Sequence, residues 1–121
     1  MKSVIRINKD GSGAAGLTRC AAIPQNAVIE GEAIETGEIH FESSDSKVTV
    51  GTWQCTPYAE ILNCSDFSEY STILQGKVAL TNPDGSIETF GAGDAYVLPV
   101  GWQGRFEVLE TLRKIYVITA A

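Results

Sequence analysis

The chain has 121 residues, of which 44% are hydrophobic and 20% charged, and its net charge is −6. This length predicts a single domain built around one hydrophobic core. The acidic balance argues against a nucleic-acid partner, which needs a basic stripe. No apolar run approaches the roughly 18 residues of a membrane span, so no membrane association is expected.

Residues 1–22 are predicted to form a loosely held N-terminal arm, because they are rich in Gly and Ala and show little periodicity. A helix or an added strand in this arm is the alternative. The apolar segment of a secretory signal is missing here. We therefore expect a cytoplasmic protein whose three cysteines, Cys20, Cys55 and Cys64, stay reduced.

Residues 23–121 are predicted to form one β-domain. The segment AVIEGEAIETGEIHFE indicates two short strands with a solvated face. From Lys47 onward, apolar and polar residues alternate in KVTVGTWQC, YAEILNC and EYSTILQGKVALT, and the last of these strands is long or kinked at Gly76. NPDGS predicts a tight turn. With IETF, AYVLP, RFEVLE and RKIYVIT, about eight to ten short strands result, which is typical of an all-β sandwich or barrel.

Two spaced patterns then carry a resemblance. Six residues separate Glu69 from Gly76, and Gly93 is followed by five residues, Pro99, one residue and Gly101. These patterns resemble the two motifs of the cupin superfamily. VGTWQCTP and LRKIYVI make the chain most similar to its small ureidoglycine-aminohydrolase-type and ethanolamine-utilisation-type domains. The resemblance implies a single-domain, double-stranded β-helix (jelly-roll-like) barrel and a homodimer.

The resemblance also implies a metal held by three histidines and a glutamate, and the chain departs from that pattern. The last histidine position falls on Gly104, and His40 lies far from both motifs. The positions before Glu69 hold no histidine either, but Asn63 and Ser65, or Leu62 and Cys64. A tight transition-metal site needs about three protein ligands. We predict no metal cofactor, and the alternative is a divalent metal held weakly through Glu69 and Cys64.

Strand alternation predicts which side chains face the lumen, meaning the interior of the barrel. If Glu69 points inward, Ser71 and Ile73 do too, whereas the orientation of Lys114 stays open. The predicted pocket residues are Trp53, Tyr58, Asn63, Ser71, Phe106 and Tyr116. The residues predicted to shape strand bends and corners, with Asp94 capping a turn, are Gly76, Gly93, Asp94, Pro99, Gly101 and Gly104.

Glu69 is the candidate catalytic residue. A carboxylate in a mostly apolar lumen is a plausible proton donor or acceptor, and it could also bind an amine. The alternative is a glutamate hydrogen-bonded to a neighbouring strand. We expect the barrel to bind a small polar metabolite without a histidine-ligated metal. The alternatives are a hydrolase- or isomerase-type enzyme, which uses Glu69 on a small nitrogenous or carboxylated metabolite, and a structural dimer module.

Overall fold

The computed structural model describes residues 2–121, and within them it contains nine β-strands and one 3-10 turn, Gln25–Ala27. None of the helical segments in this part of the chain has the length and apolar character needed to cross a membrane. The strands are β1 (Thr18–Cys20), β2 (Val28–Gly31), β3 (Glu35–Glu42), β4 (Val48–Cys55), β5 (Tyr58–Asn63), β6 (Phe67–Thr81), β7 (Ile87–Gly91), β8 (Ala95–Leu98) and β9 (Gln103–Ala120).

All nine strands form one antiparallel sheet. Five strands flank β9 in the order β1-β3-β4-β9-β5-β2, and β6 pairs with β7, β8 and β9. The long strand β9 pairs with β5 near its start, with β4 near its end and with β6 along most of its length. β6 lies along one edge of β9, whereas β5 and β4 follow one another along the other edge. This confirms the predicted all-β fold and its single barrel.

Strand β6 is kinked at Gly76. Before the kink, odd-numbered residues such as Glu69 and Ile73 are buried; after it, even-numbered residues such as Val78 and Leu80 are buried. The register to β9 shifts between Ile73 and Val78, and Gly76 has φ +87°. Irregularities of this kind reverse which side chains face the core. The kink thus lets one strand serve two parts of the barrel wall.

The core lies inside the curled sheet and is aromatic at its centre. Trp53, Tyr58 and Phe106 have ring centroids 6.2–6.4 Å apart at tilted or edge-on angles, the geometry that aromatic pairs prefer. Around them lie the other buried apolar residues: Cys55, Cys64, Ile73, Val78, Leu80, Tyr96, Leu98, Val108 and Leu112.

The N-terminal arm is held by specific contacts, which differs from the loosely held arm that we predicted. The Glu38 carboxylate accepts a hydrogen bond from the amide of Gly13 at 2.7 Å, and the Thr52 hydroxyl donates to the carbonyl of Gly11 at 2.6 Å. β1 also adds to β3 as an edge strand. Composition underestimates this order because the arm contributes backbone groups to these bonds, and backbone groups exist in every sequence.

His40 lies beneath this arm. Its Nε2 atom is 2.8 Å from the Thr52 hydroxyl and 3.1 Å from the carbonyl oxygen of Gly11. The imidazole therefore helps to anchor the arm and does not face the lumen.

Candidate functional site

A buried ion pair lies at the floor of the lumen. The Lys114 ammonium donates a hydrogen bond to Glu69 Oε2 at 2.6 Å and to the Tyr96 hydroxyl at 2.9 Å. Ser71 donates to the same glutamate oxygen at 2.9 Å. The sheet register brings the four residues together, since Ser71 pairs with Tyr96 on β8 and Ile73, two residues further along β6, pairs with Lys114 on β9. The floor is therefore a connected polar network on three neighbouring strands.

Three aromatic rings surround the Lys114 ammonium. Its nitrogen lies 5.2 Å from the ring centroid of Phe106 and 5.4 Å from those of Trp53 and Tyr96, within the range of cation–π attraction. Burial by itself lowers the pKa of Lys114, but the adjacent Glu69 carboxylate and the Tyr96 hydroxyl outweigh burial and hold the pKa above its ordinary value. Lys114 is therefore a fixed internal cation and not a neutral amine nucleophile.

A second buried carboxylate, Glu60, faces the same lumen from β5. The Tyr58 hydroxyl donates a short hydrogen bond to Glu60 Oε2. Burial raises the pKa of Glu60 and outweighs the hydrogen bond from Tyr58 and the nearby Lys114, which both lower it. Burial, together with the neighbouring carboxylate, also raises the pKa of the Tyr58 hydroxyl, so that it remains a donor.

A third buried carboxylate, Glu35, closes the rim. It accepts hydrogen bonds from the Trp53 indole at 2.9 Å and from the amide of Ala22 at 3.0 Å. Through these bonds Glu35 fixes the orientation of one aromatic wall and ties the end of the arm beside the opening.

Glu60, Glu69 and Lys114 border a cavity of about 210 Å³, called here the lumen cavity. Its walls are mainly apolar and aromatic, and its polar atoms come from the floor. Its mouth is next to Ala22 and Pro24, which are exposed. The lining residues are Ala22, Ile23, Pro24, Trp53, Tyr58, Glu60, Leu62, Phe67, Glu69, Phe106, Lys114, Tyr116 and Ile118.

A second hollow of about 420 Å³ lies between β7, β8 and the corner that follows β8. Its lining includes Asn82, Glu88, Phe90 and Trp102, and the indole of Trp102 donates to the Asn82 side chain at 3.0 Å. Because it contains no buried charge, it is the weaker candidate for a chemical site.

Most of the predicted pocket residues meet at the lumen cavity. Trp53, Tyr58, Phe106 and Tyr116 line it together with Glu69, and Ser71 is buried behind Glu69. Asn63 does not belong to this group: it lies at the end of β5, is exposed and does not line the cavity.

Five of the six residues predicted to shape bends and corners occupy such positions, whereas the sixth, Gly104, lies within β9. Gly76, Gly93 and Gly101 have φ between +87° and +94°, a region that suits glycine. The Asp94 carboxylate accepts a hydrogen bond from the amide of Gly91 at 2.9 Å. Pro99 starts the corner before β9, and its carbonyl accepts the amide of Trp102 at 2.9 Å.

Sequence reasoning missed Glu60 and left Lys114 undecided, although strand alternation contained a signal for both. Glu60 lies two residues from Tyr58, which we predicted to face inward. Lys114 shares the even-numbered phase of Phe106 and Val108 on β9. What the alternation could not supply is the ion pair, because Glu69 and Lys114 are 45 positions apart in the chain.

The side chains do not fit the metal that cupins usually hold. A Cβ atom at Gly104 would collide with the carbonyl oxygen of Thr81 and with the Trp102 ring, so a histidine has no room there. Burial raises the pKa of the Cys64 thiol to about 11, which leaves it protonated at neutral pH. Lys114 already neutralises Glu69. Within residues 2–121, no three His, Cys, Asp or Glu side chains come together as a metal-holding group.

Comparison with known proteins assigns the family. The model of the EutQ-like cupin domain matches residues 42–116. The chain belongs to the EutQ-like cupin domain family. This confirms the predicted superfamily and the cupin form of the barrel. No curated protein matches the sequence.

Solved structures agree with this fold. A Pseudomonas syringae protein of unknown function from the DUF861 family superposes with a TM-score of 0.81 at 24% identity over 93% of this chain, which spans 46% of that protein's length. A putative ethanolamine utilization protein, EutQ, from Salmonella typhimurium gives 0.64 at 18% identity, with 88% of this chain and 95% of that one covered. A DUF861 family protein from Thermotoga maritima gives 0.51 at 34% identity, covering 54% and 73%.

Proposed function

We propose that this cupin binds a small polar organic molecule in the lumen cavity and does so without a metal. The observation that carries the proposal is the Glu69–Lys114 ion pair, which places a fixed cation and a carboxylate at the floor of a mainly apolar cavity that Glu60 also lines. Ligand sites of this kind combine apolar walls with a few convergent polar groups. The aminohydrolase activity of the similar subfamily is not carried over, because its metal-binding histidines are not matched.

A tryptophan at the mouth of the cavity tests this proposal. Ala22 is exposed and lines the mouth, whereas the neighbouring Ala21 is exposed and does not line it. In a thermal-shift screen of small acids, amines and sugars, ligands of the lumen should stabilise the native protein and Ala21→Trp but not Ala22→Trp. Compounds that stabilise all three proteins equally, or a screen without any stabilising compound, would contradict lumen binding.

A second candidate function is catalysis, and it is favoured by the two carboxylates of the lumen cavity. Glu69 is paired with Lys114, whereas the pKa of Glu60 is raised by burial. Carboxylates held in such different states are typical of acid–base sites. The candidate reaction is hydrolysis or isomerisation of a small nitrogenous or carboxylated metabolite with Glu69 as acid or base. Any turnover found should disappear in Glu69→Gln, and unchanged turnover would exclude that role.

We also propose that the protein forms a homodimer through the free edge of β3. β1 covers β3 only at residues 35–37, and the exposed Ile39 and Phe41 follow on the uncovered part. Exposed edges of this kind are typically covered by a partner. Light scattering should give twice the chain mass of 13.0 kDa, and Ile39→Lys should lower it. A native mass of one chain would refute the dimer.

We place the protein in the cytoplasm, in keeping with cysteines that are all free thiols. Cell fractionation that recovers it in an oxidising compartment would contradict this location.

A further inference from the structure

The three buried carboxylates differ in how completely the protein satisfies them. Glu35 accepts hydrogen bonds from the Trp53 indole and from the amides of Ala22 and Ile23. Glu69 accepts from the Lys114 ammonium and from Ser71, both on Oε2, so Lys114 pairs the charge of Glu69 although its Oε1 receives no hydrogen bond from residues 2–121. Among residues 2–121, Glu60 receives one side-chain hydrogen bond, from the Tyr58 hydroxyl on Oε2. Its second oxygen, Oε1, keeps free acceptor capacity at the wall of the lumen cavity.

We propose that Glu60 is the ligand-recognising carboxylate of the lumen cavity and that it selects molecules carrying a protonated amine on an apolar body. This inference rests on the proposed lumen binding and adds a ligand class to it. An ammonium group at Oε1 would supply the charge-assisted hydrogen bond that the protein does not provide. The rings of Trp53, Tyr58 and Phe106 pack around the same wall and would hold the apolar body and attract the cation.

The charge balance of the cavity favours a cation over an anion. Glu69 is paired with Lys114, Glu60 lines the same cavity and Glu35 lies close enough to raise the pKa of Glu60, so three carboxylates accompany one ammonium. The Lys114 ammonium uses two of its three donors on Glu69 and Tyr96, and a ligand carboxylate would have to share its charge with Glu69. An anionic ligand would therefore enter against the net negative charge.

The groups around Glu60 set how this recognition depends on pH. Those facing it are Lys114 from β9, Glu69 from β6, Glu35 from β3 and Tyr58 on its own strand. The charged residues at neighbouring positions of β2 and β9 lie on the other face of the sheet. There Arg105 pairs with both Glu30 and Glu107. The lumen groups raise the pKa of Glu60, mainly by burial, so an ammonium ligand should bind more tightly as pH rises and Glu60 ionises.

Three probes with one carbon skeleton test the proposal: cyclohexylamine, cyclohexanol and cyclohexanecarboxylate. In NMR titrations of the full chain at neutral pH, cyclohexylamine should perturb the lumen residues most strongly and the carboxylate least. Glu60→Gln should weaken the amine by about tenfold, the effect of losing a hydrogen bond to a charged group, and should leave the alcohol unchanged. Glu107→Gln, on the neighbouring strand, is the control that should bind like the native protein.

The remaining outcomes separate this proposal from the proposed function. Two outcomes would overturn the role of Glu60 but keep lumen binding. One is tighter binding of the carboxylate probe than of the amine. The other is amine binding that is unchanged in Glu60→Gln but abolished in Ala22→Trp. Failure of all three probes to perturb the lumen would overturn the ligand class. If Glu60→Gln did not fold, Glu60→Asp, which withdraws the carboxylate from the cavity, should give the same loss of amine affinity.

Discussion

At the scale of single residues, the main feature of the lumen is a buried lysine that is paired with a glutamate. Lys114 supplies a positive charge beside Glu69 and is held by Tyr96 and three aromatic rings. A buried charge is costly unless it is paired and hydrogen-bonded. Each charge of this pair is therefore tolerated only because the other is present.

Removing one partner of the pair should destabilise the fold strongly. Lys114→Met keeps the volume but leaves Glu69 as an unpaired buried charge, for which a loss of about 3–5 kcal/mol in the free energy of unfolding is expected. Urea denaturation measures this loss. Glu69→Leu combined with Lys114→Met should recover most of it. The matched control is Lys77→Met at the exposed Lys77–Glu110 pair, where the cost should stay below about 1 kcal/mol.

The raised pKa of Glu60 should appear in the pH dependence of stability. Between its ordinary pKa of 4.5 and its higher folded value, the folded state binds more protons than the unfolded state. Stability contributed through Glu60 must then fall as pH rises through this window. The native protein should therefore lose stability relative to Glu60→Gln as pH rises above 4.5, until Glu60 is ionised in the folded state. A difference that is constant, or that grows in favour of the native protein, would contradict the assignment.

At the scale of strands, the glycines of the two cupin motifs make close approaches and bends. Gly76 combines a positive φ with direct contact to β9, since a Cβ atom there would collide with the carbonyl oxygens of Thr111 and Glu110. Gly104 lacks the positive φ but is as closely packed. These glycines are therefore needed for the path of the strands, which explains why they are present in a chain that lacks the metal-binding histidines.

Alanine substitution should distinguish the two reasons for a glycine at position 76, which are its positive φ and its close contact with β9. Gly85 has φ +89° in the β6–β7 turn with nothing near its Cβ position, so Gly85→Ala bears only the backbone strain, about 1 kcal/mol. Gly76→Ala bears the same strain and a clash with backbone atoms, and should cost clearly more in thermal or urea unfolding. Equal costs at the two positions would show that the contact with β9 is not tight.

At the scale of the whole molecule, the barrel could be predicted from the sequence, whereas the site could be predicted only in part. The path of each strand depends on residues close together in sequence. It could therefore be predicted from the alternation of apolar and polar residues and from the spacing of Glu69, Gly76, Gly93 and Pro99. The aromatic wall followed from the same alternation. The Glu69–Lys114 ion pair and the contacts that hold the arm could not be predicted, because both join residues far apart in sequence, such as Glu38 and Gly13.

The claim on which the account depends is that Lys114, and not a metal ion, is the cation of the lumen. Metal analysis of protein purified without a histidine tag, followed by thermal unfolding with and without EDTA, tests it most directly. The structure predicts no stoichiometric metal and an unchanged melting temperature after chelation. The claim would be contradicted by a stoichiometric metal that is lost in Glu69→Gln and whose removal lowers the melting temperature of the native protein.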